Sequence, residues 1–146
     1  MILKLNIIAL TCFLLLNTSF AQTKIIPVKI SPDDDIICLR LSYQLKEMIN
    51  SESNMRLFNE SDSIYFQINM SGKDFNRIMD GEKGRASAIS VVWLLRIGDI
   101  SCYKNQMLDF IDSNDLSEMA GLIMGHTIDI ISKDKSFFQF LTKGKR

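Results

Sequence analysis

The sequence predicts an α+β domain: a mainly antiparallel sheet of four to five strands with two helices packed on one face. Three observations carry this. Ser63–Met70 and Ala86–Ile97 repeat apolar side chains with the period of two that marks strands. Ile36–Ile49 and Asp115–Ile131 repeat them with the helical period. The chain has 146 residues of which 47% are hydrophobic, enough for one core and too few for two enzyme-sized lobes.

Residues 1–21 read as a signal peptide. Lys4 precedes an apolar run from Leu5 to Leu16, and Ser19-Phe20-Ala21 gives the small-x-small pattern that a signal peptidase accepts. The run is shorter than the ~20 apolar residues that span a bilayer; an uncleaved anchor is the alternative. Cleavage after Ala21 leaves residues 22–146 as a single domain. Only Lys4 is lost from the charge count, which falls from 17 to 16 basic side chains against 17 acidic ones. This neutrality argues against nucleic acid as a partner, because phosphate binding needs a basic face.

In chain order, Lys24–Ile30 is a strand that Pro27 assigns to a sheet edge, since proline cannot donate to a ladder. Ser31-Pro32-Asp33-Asp34-Asp35 then reads as a helix start, with Ser31 as cap, Pro32 in the first turn and the acids at the positive end of the dipole. A calcium loop would need a glycine and a distal glutamate that are missing. Within the helix, Ile37, Cys38, Leu41, Leu45, Met48 and Ile49 share the core arc, whereas Ile36, Leu39 and Tyr43 form a second apolar stripe on the far side, among Arg40, Lys46 and Glu47. Met55–Phe58 is a short strand, and Asn59–Asp62 a turn. In the next strand Ile64, Phe66, Ile68 and Met70 face one way. Ala86–Ile97 is apolar on both faces and therefore central. Ser71–Arg85 between them reads as a solvated loop without the glycine spacing of a phosphate loop. Gly98-Asp99 turns the chain into a short strand, Ile100–Tyr103.

The last helix, capped by Ser113 or Asp115, gathers Leu116, Met119, Ala120, Ile123, Thr127, Ile130 and Ile131 on its core side. Gly121 and Gly125 fall on the opposite side. Each costs about 1 kcal/mol relative to alanine, so either the domain simply tolerates the pair or the stripe is one that something approaches closely. The tail 133–146 combines Phe137, Phe138 and Phe140 with Lys143 and other basic residues, reading as a helix extension packed on the domain or as a weak contact with an anionic membrane.

Once Cys12 leaves with the signal, Cys38 and Cys102 remain. An even pair in an exported chain favours a disulfide, worth roughly 4 kcal/mol on loop-closure entropy. Two free buried thiols, or a catalytic pairing of a cysteine with the lone His126, are the alternatives. Two cysteines and one histidine do not make a closed zinc site, and no nucleophile motif, metal-ligand cluster or cofactor loop stands in the chain. Asn59-Glu60-Ser61 and Asn69-Met70-Ser71 are glycosylation sequons, relevant only in a eukaryotic host.

The order of Lys24–Ile30, Asp33–Ile49, Ser63–Met70, Ala86–Ile97 and Asp115–Ile131 resembles small α+β modules of bacterial envelope proteins, such as the TolB N-terminal domain and the CsgG-like secretion proteins. Cys38, the strand Ser90-Val91-Val92-Trp93 and Cys102 are also similar to a group of small secreted bacterial proteins. The resemblance implies a fold and an envelope setting; it carries no activity. The expectation is a periplasmic or secreted interaction module, an assembly accessory or inhibitor without cofactor or metal, binding a protein partner or itself through Ile36, Leu39 and Tyr43 or through Gly121 and Gly125. A small periplasmic hydrolase using carboxylates or His126 is the alternative.

Overall fold

The computed structural model describes residues 25–75 and 85–134. The expected signal peptide, the middle of the 71–85 loop and the tail beyond Asp134 lie outside the described residues. Seven elements follow in chain order: β1 (Ile26–Pro32), α1 (Ile36–Ser51), β2 (Met55–Leu57), β3 (Ile64–Asp74), β4 (Ala86–Ile97), β5 (Ile100–Asp112) and α2 (Leu116–Lys133). They form one five-stranded sheet, ordered β2-β1-β3-β4-β5, with both helices on one face. The fold class is as expected, with one refinement. The sheet is mixed, because β1 runs parallel to both β2 and β3, while β3–β4–β5 is an antiparallel meander.

Alternation determines which side of each strand enters the core. Phe66, Ile68 and Met70 of β3 and Ile89, Val91, Trp93 and Leu95 of β4 are buried beneath the helices. From above, Ile37, Cys38, Leu41, Leu45 and Ile49 of α1 and Leu116, Ala120, Ile123, Met124, Thr127 and Ile131 of α2 close onto them. The helical core arcs expected from the sequence are observed, with Ser42 and Met124 added and with Met48, Met119 and Ile130 half-buried at their margins.

Three boundaries differ from expectation for local reasons. Pro27 lies in an interior strand, not at an edge. Ile26 N–H donates to Asn54 and Val28 C=O accepts from Phe58, so the even-numbered residues serve β2. The odd-numbered ones face β3, whose pairing begins only at Val28, and the missing Pro27 N–H falls just before that ladder. Ser31 and Pro32 end β1 and do not start the helix; the cap is Asp35. Finally, β5 extends nine residues past the expected Tyr103, to Asp112. A bulge causes the ambiguity: Trp93 pairs with Asn105 and Leu94 with Tyr103, so Lys104 is an extra residue and the alternation breaks.

The 71–85 segment is also shorter as a loop than it reads. Ser71–Asp74 remain paired with Ser87–Ser90, and Phe75 N–H still bonds Ala86 C=O at 3.0 Å.

Candidate functional site

Where β1 passes into α1, two carboxylates hold three segments together. Asp35 Oδ1 accepts the N–H groups of Ile37 and Cys38 at 2.9 and 3.1 Å, capping the helix, and its Oδ2 accepts the Ser87 hydroxyl at 2.9 Å. Asp33 accepts from Asp35 N at 3.1 Å and from Gly72 N at 2.8 Å. Gly72 is there because of proximity: a Cβ on it would stand 2.7 Å from Asp35 Cγ. An isolated glycine in a strand pattern is the sequence signal for such an approach. These oxygens are occupied by internal donors, and among the described residues no group of three or more His, Cys, Asp or Glu is placed to hold a metal ion.

The Cys38 thiol lies beside this cluster. Burial pushes its pKa up to about 12, helped by the charges of Asp33 and Asp35 and by a hydrogen bond with Asp33. A thiol held neutral in this way is a poor nucleophile. The expected disulfide is not formed, and Cys38 and Cys102 are free thiols. Cys38 sits at the Gly72–Ser87 end of the sheet, whereas Cys102 pairs with Leu95 toward the other end. Six residues of β4 from Ile89, the partner of Gly72, to Leu95 span about 20 Å, against the ~7 Å between Cα atoms that a bridge allows.

His126 is exposed on α2. Its ring lies 5.9 Å from that of Trp93, tilted by 53°, and among the described residues no carboxylate is hydrogen-bonded or ion-paired to it. The hydrolase reading therefore gains no acid–base pair at this histidine.

The apolar surfaces are more informative. Ile36, Leu39 and Tyr43 stand together on the outward side of α1, with exposures of 40%, 41% and 71%. Lys46 Nζ sits 5.6 Å from the Tyr43 ring centre. On α2, Gly121 and Gly125 have nothing within 4 Å of where a Cβ would be, so the described part of the chain does not use the close approach they offer.

A third surface escaped the sequence reading because its strand did. Among the described residues no element covers the sheet face away from the helices, and along β5 it carries Tyr103, Leu108 and Phe110, exposed at 63%, 70% and 71%. Phe75 meets Phe110 edge-on at 5.9 Å. The i, i+2 spacing of Leu108 and Phe110 was the available signal. Beside them lies a shallow depression of about 230 Å³ lined by Ser71, Gly72, Lys73, Ala88, Ser90 and Leu108, smaller than the ~300–1,000 Å³ of small-molecule sites. The far half of the face is mixed: Gln67 Nε2 donates to Asn69 Oδ1 at 2.6 Å and to Ser31 Oγ at 3.3 Å, Arg56 pairs with Asp62, and the Phe58 and Tyr65 rings lie 4.3 Å apart with Lys29 Nζ over Phe58.

Among the described residues no helix is long and apolar enough to cross a membrane. No family model matches the chain, and no curated protein does. Among the solved structures similar at low level are the following two. The hypothetical protein CT253 from Chlamydia trachomatis has a TM-score of 0.39 and 8% identity over 78% of this chain and 97% of its own. A minor lipoprotein from Acinetobacter baumannii has a TM-score of 0.26 and 10% identity over 81% of this chain and 87% of its own.

Proposed function

We propose that the protein is an exported interaction module of the periplasm or extracellular space that docks a protein partner through the outward stripe of α1. The observation that carries the reading is the exposure of Ile36, Leu39 and Tyr43 together on a helix whose other face is fully committed to the core. Each square ångström of apolar surface removed from water contributes about 25 cal/mol, and Tyr43 supplies a rigid ring with a polar tip, the kind of side chain that anchors interfaces. Arg40, Lys46 and Glu47 give the stripe a charged rim. The segment 1–21, with its Lys4, apolar run and Ser19-x-Ala21, supports export.

The test is the double substitution Leu39→Ser, Tyr43→Gln, in the protein recovered from its native envelope or medium. A partner, or a second copy of the chain, co-purifying with the unsubstituted protein should bind at least about tenfold more weakly, or ~1.4 kcal/mol. Stability should change by no more than about 0.5 kcal/mol, as for other surface sites. A large stability loss, or binding that survives unchanged, removes the reading.

A further inference from the structure

We propose that two copies of the chain pack their outer sheet faces, those away from the helices, against each other. The two-fold axis runs across the strands and lays β5 of one copy antiparallel over β5 of the other. The inference concerns the face opposite the α1 stripe and does not rest on the docking reading above.

Strand alternation fixes what this face presents. Outward on β5 stand Tyr103, Leu108 and Phe110, and their pairing partners on β4 are Leu94, Ser90 and Ala88. Charge is kept off this stretch. Asp109 pairs with the core residue Ile89 and so faces the helices. Lys104, the extra residue of the bulge, is ion-paired through Nζ with Asp134 at the end of α2, at 2.6 Å. In projection the outer face of β3–β5 spans about 600 Å², and its side chains add to that area. A stable interface takes ~800 Å² per partner, so the face is of the size that a dimer needs.

The direction of the axis follows from the side chains. An axis along β4 would set Phe110 on Lys73 and Tyr103 on Gln67, and an axis along β5 would overlap the edge strands alone. An axis across the strands, midway between Tyr103 and Phe110, keeps each strand over its own counterpart. Phe110 of one copy then meets Tyr103 and Leu94 of the other. Val92 and Leu94 stand over Ser90 and Ala88, two of the small side chains that line the depression beside Leu108. Large side chains over small ones let two layers ~10 Å apart interdigitate.

The ends of the face carry a second argument. Arg96 and Asp112 both lie on the outer side, but within one chain they stand at opposite ends. Asp112 pairs with Ala86, which is ten residues, or about 34 Å, along β4 from Arg96. The axis exchanges those ends, so Arg96 of each copy comes against Asp112 of the other. Both groups have capacity to spare. Arg96 Nε is buried without a hydrogen-bond partner, while its Nη1 donates to the Ser101 hydroxyl. Asp112 accepts from Ser113 and Asn114 on Oδ1 alone. Neither side chain is ion-paired among the described residues.

The experiment is sedimentation equilibrium on the chain recovered from periplasm or medium, at about 1 to 100 μM. The native chain should be a dimer at the upper end of that range. Arg96→Glu or Asp112→Lys alone sets like charges against each other and should weaken the dimer at least about tenfold. The double variant exchanges the signs and should dimerise within about threefold of the native chain. The two positions are too far apart to couple within a monomer, so rescue reports contact between copies. Leu108→Glu, at a position already 70% exposed, should give a folded monomer. A native chain that stays monomeric, single reversals without effect, a double variant no better than the singles, or a dimer that survives Leu108→Glu each overturn the proposal. Leu39→Ser with Tyr43→Gln should leave this dimer intact, and the α1 reading is then judged on a different protein or on association beyond the dimer. A dimer that dissociates on that pair instead places the second copy on α1, which supports the docking reading and overturns this one.

Discussion

Trp93 Nε1 donates to Thr127 Oγ1 at 2.8 Å across the interface between sheet and helix, and the Thr127 hydroxyl in turn donates to the Ile123 carbonyl at the same distance. All three residues are buried. The hydroxyl satisfies the Trp93 N–H and finds its own acceptor one turn back in the helix. Thr127→Val keeps the shape and orphans the indole. The expected cost is about 1–3 kcal/mol, read from urea unfolding; a loss below ~0.5 kcal/mol would mean the bond contributes nothing net.

Gly72 and Asp35 should behave as a coupled pair. Gly72→Ala pushes a methyl group into the cap carboxylate and should destabilise the domain by about 1–3 kcal/mol. Asp35→Ala alone removes the cap at about 1 kcal/mol, with a further loss from the freed Ser87 hydroxyl. In the double variant the contacts with Asp35 Cγ and Oδ1 are gone and only that with the Cβ, at 2.9 Å, remains, so the two losses should fall short of additive by at least ~0.5 kcal/mol. Additive losses in denaturant melts would show that the contact is not felt.

Cys38 should be silent to alkylation in the native protein near pH 8 while the half-buried Cys102 reacts first, a difference readable by intact mass. Its pH dependence has a definite sign. The thiol titrates near 9.0 when unfolded and near 12 when folded, so the native state holds the proton that the unfolded state releases. Stability from this group is complete below about pH 9 and declines between 9 and 12, with a slope of at most ~1.4 kcal/mol per pH unit. Cys38→Ala should flatten that part of the curve. An unchanged slope would contradict the assignment.

Export predicts a mature chain that starts at Gln22, or at its cyclised form. Intact-mass measurement of protein recovered from the periplasm or medium should show it, and recovery of the uncleaved chain in the membrane fraction would sink the signal-peptide reading.

Elements that bury one regular face could be read from the sequence. Ile89, Val91, Trp93 and Leu95 define β4 to the residue, and the α1 arc from Ile37 to Ile49 is observed as expected. The parallel pairing of β1 could not be read, because Ile26–Val28 meet Met55–Leu57 and Phe66 only in three dimensions. Nor could the outer half of β5, whose edge position lets polar and apolar residues mix. The Asp35–Gly72–Ser87 junction draws on three distant segments, each of which looks ordinary on its own. The exposure of the Ile36/Leu39/Tyr43 stripe was legible, being a matter of helical phase. Helices on one face only were expected, but the apolar row of Tyr103, Leu108 and Phe110 on the other face was not, since it needs β5 to continue past its bulge.

The extra residue in β5 bears on how the protein survives at high concentration. A thirteen-residue edge strand with outward Tyr, Leu and Phe is the kind of template on which identical chains stack into fibrils. Lys104 interrupts it. The bulge divides the free edge into two shorter stretches whose N–H and C=O groups are out of step, so a second copy cannot zip along the whole strand. Deleting Lys104 would restore a flat, continuous edge and unpin α2 in one step, and the resulting protein should form thioflavin-positive aggregates under conditions where the native chain stays in solution.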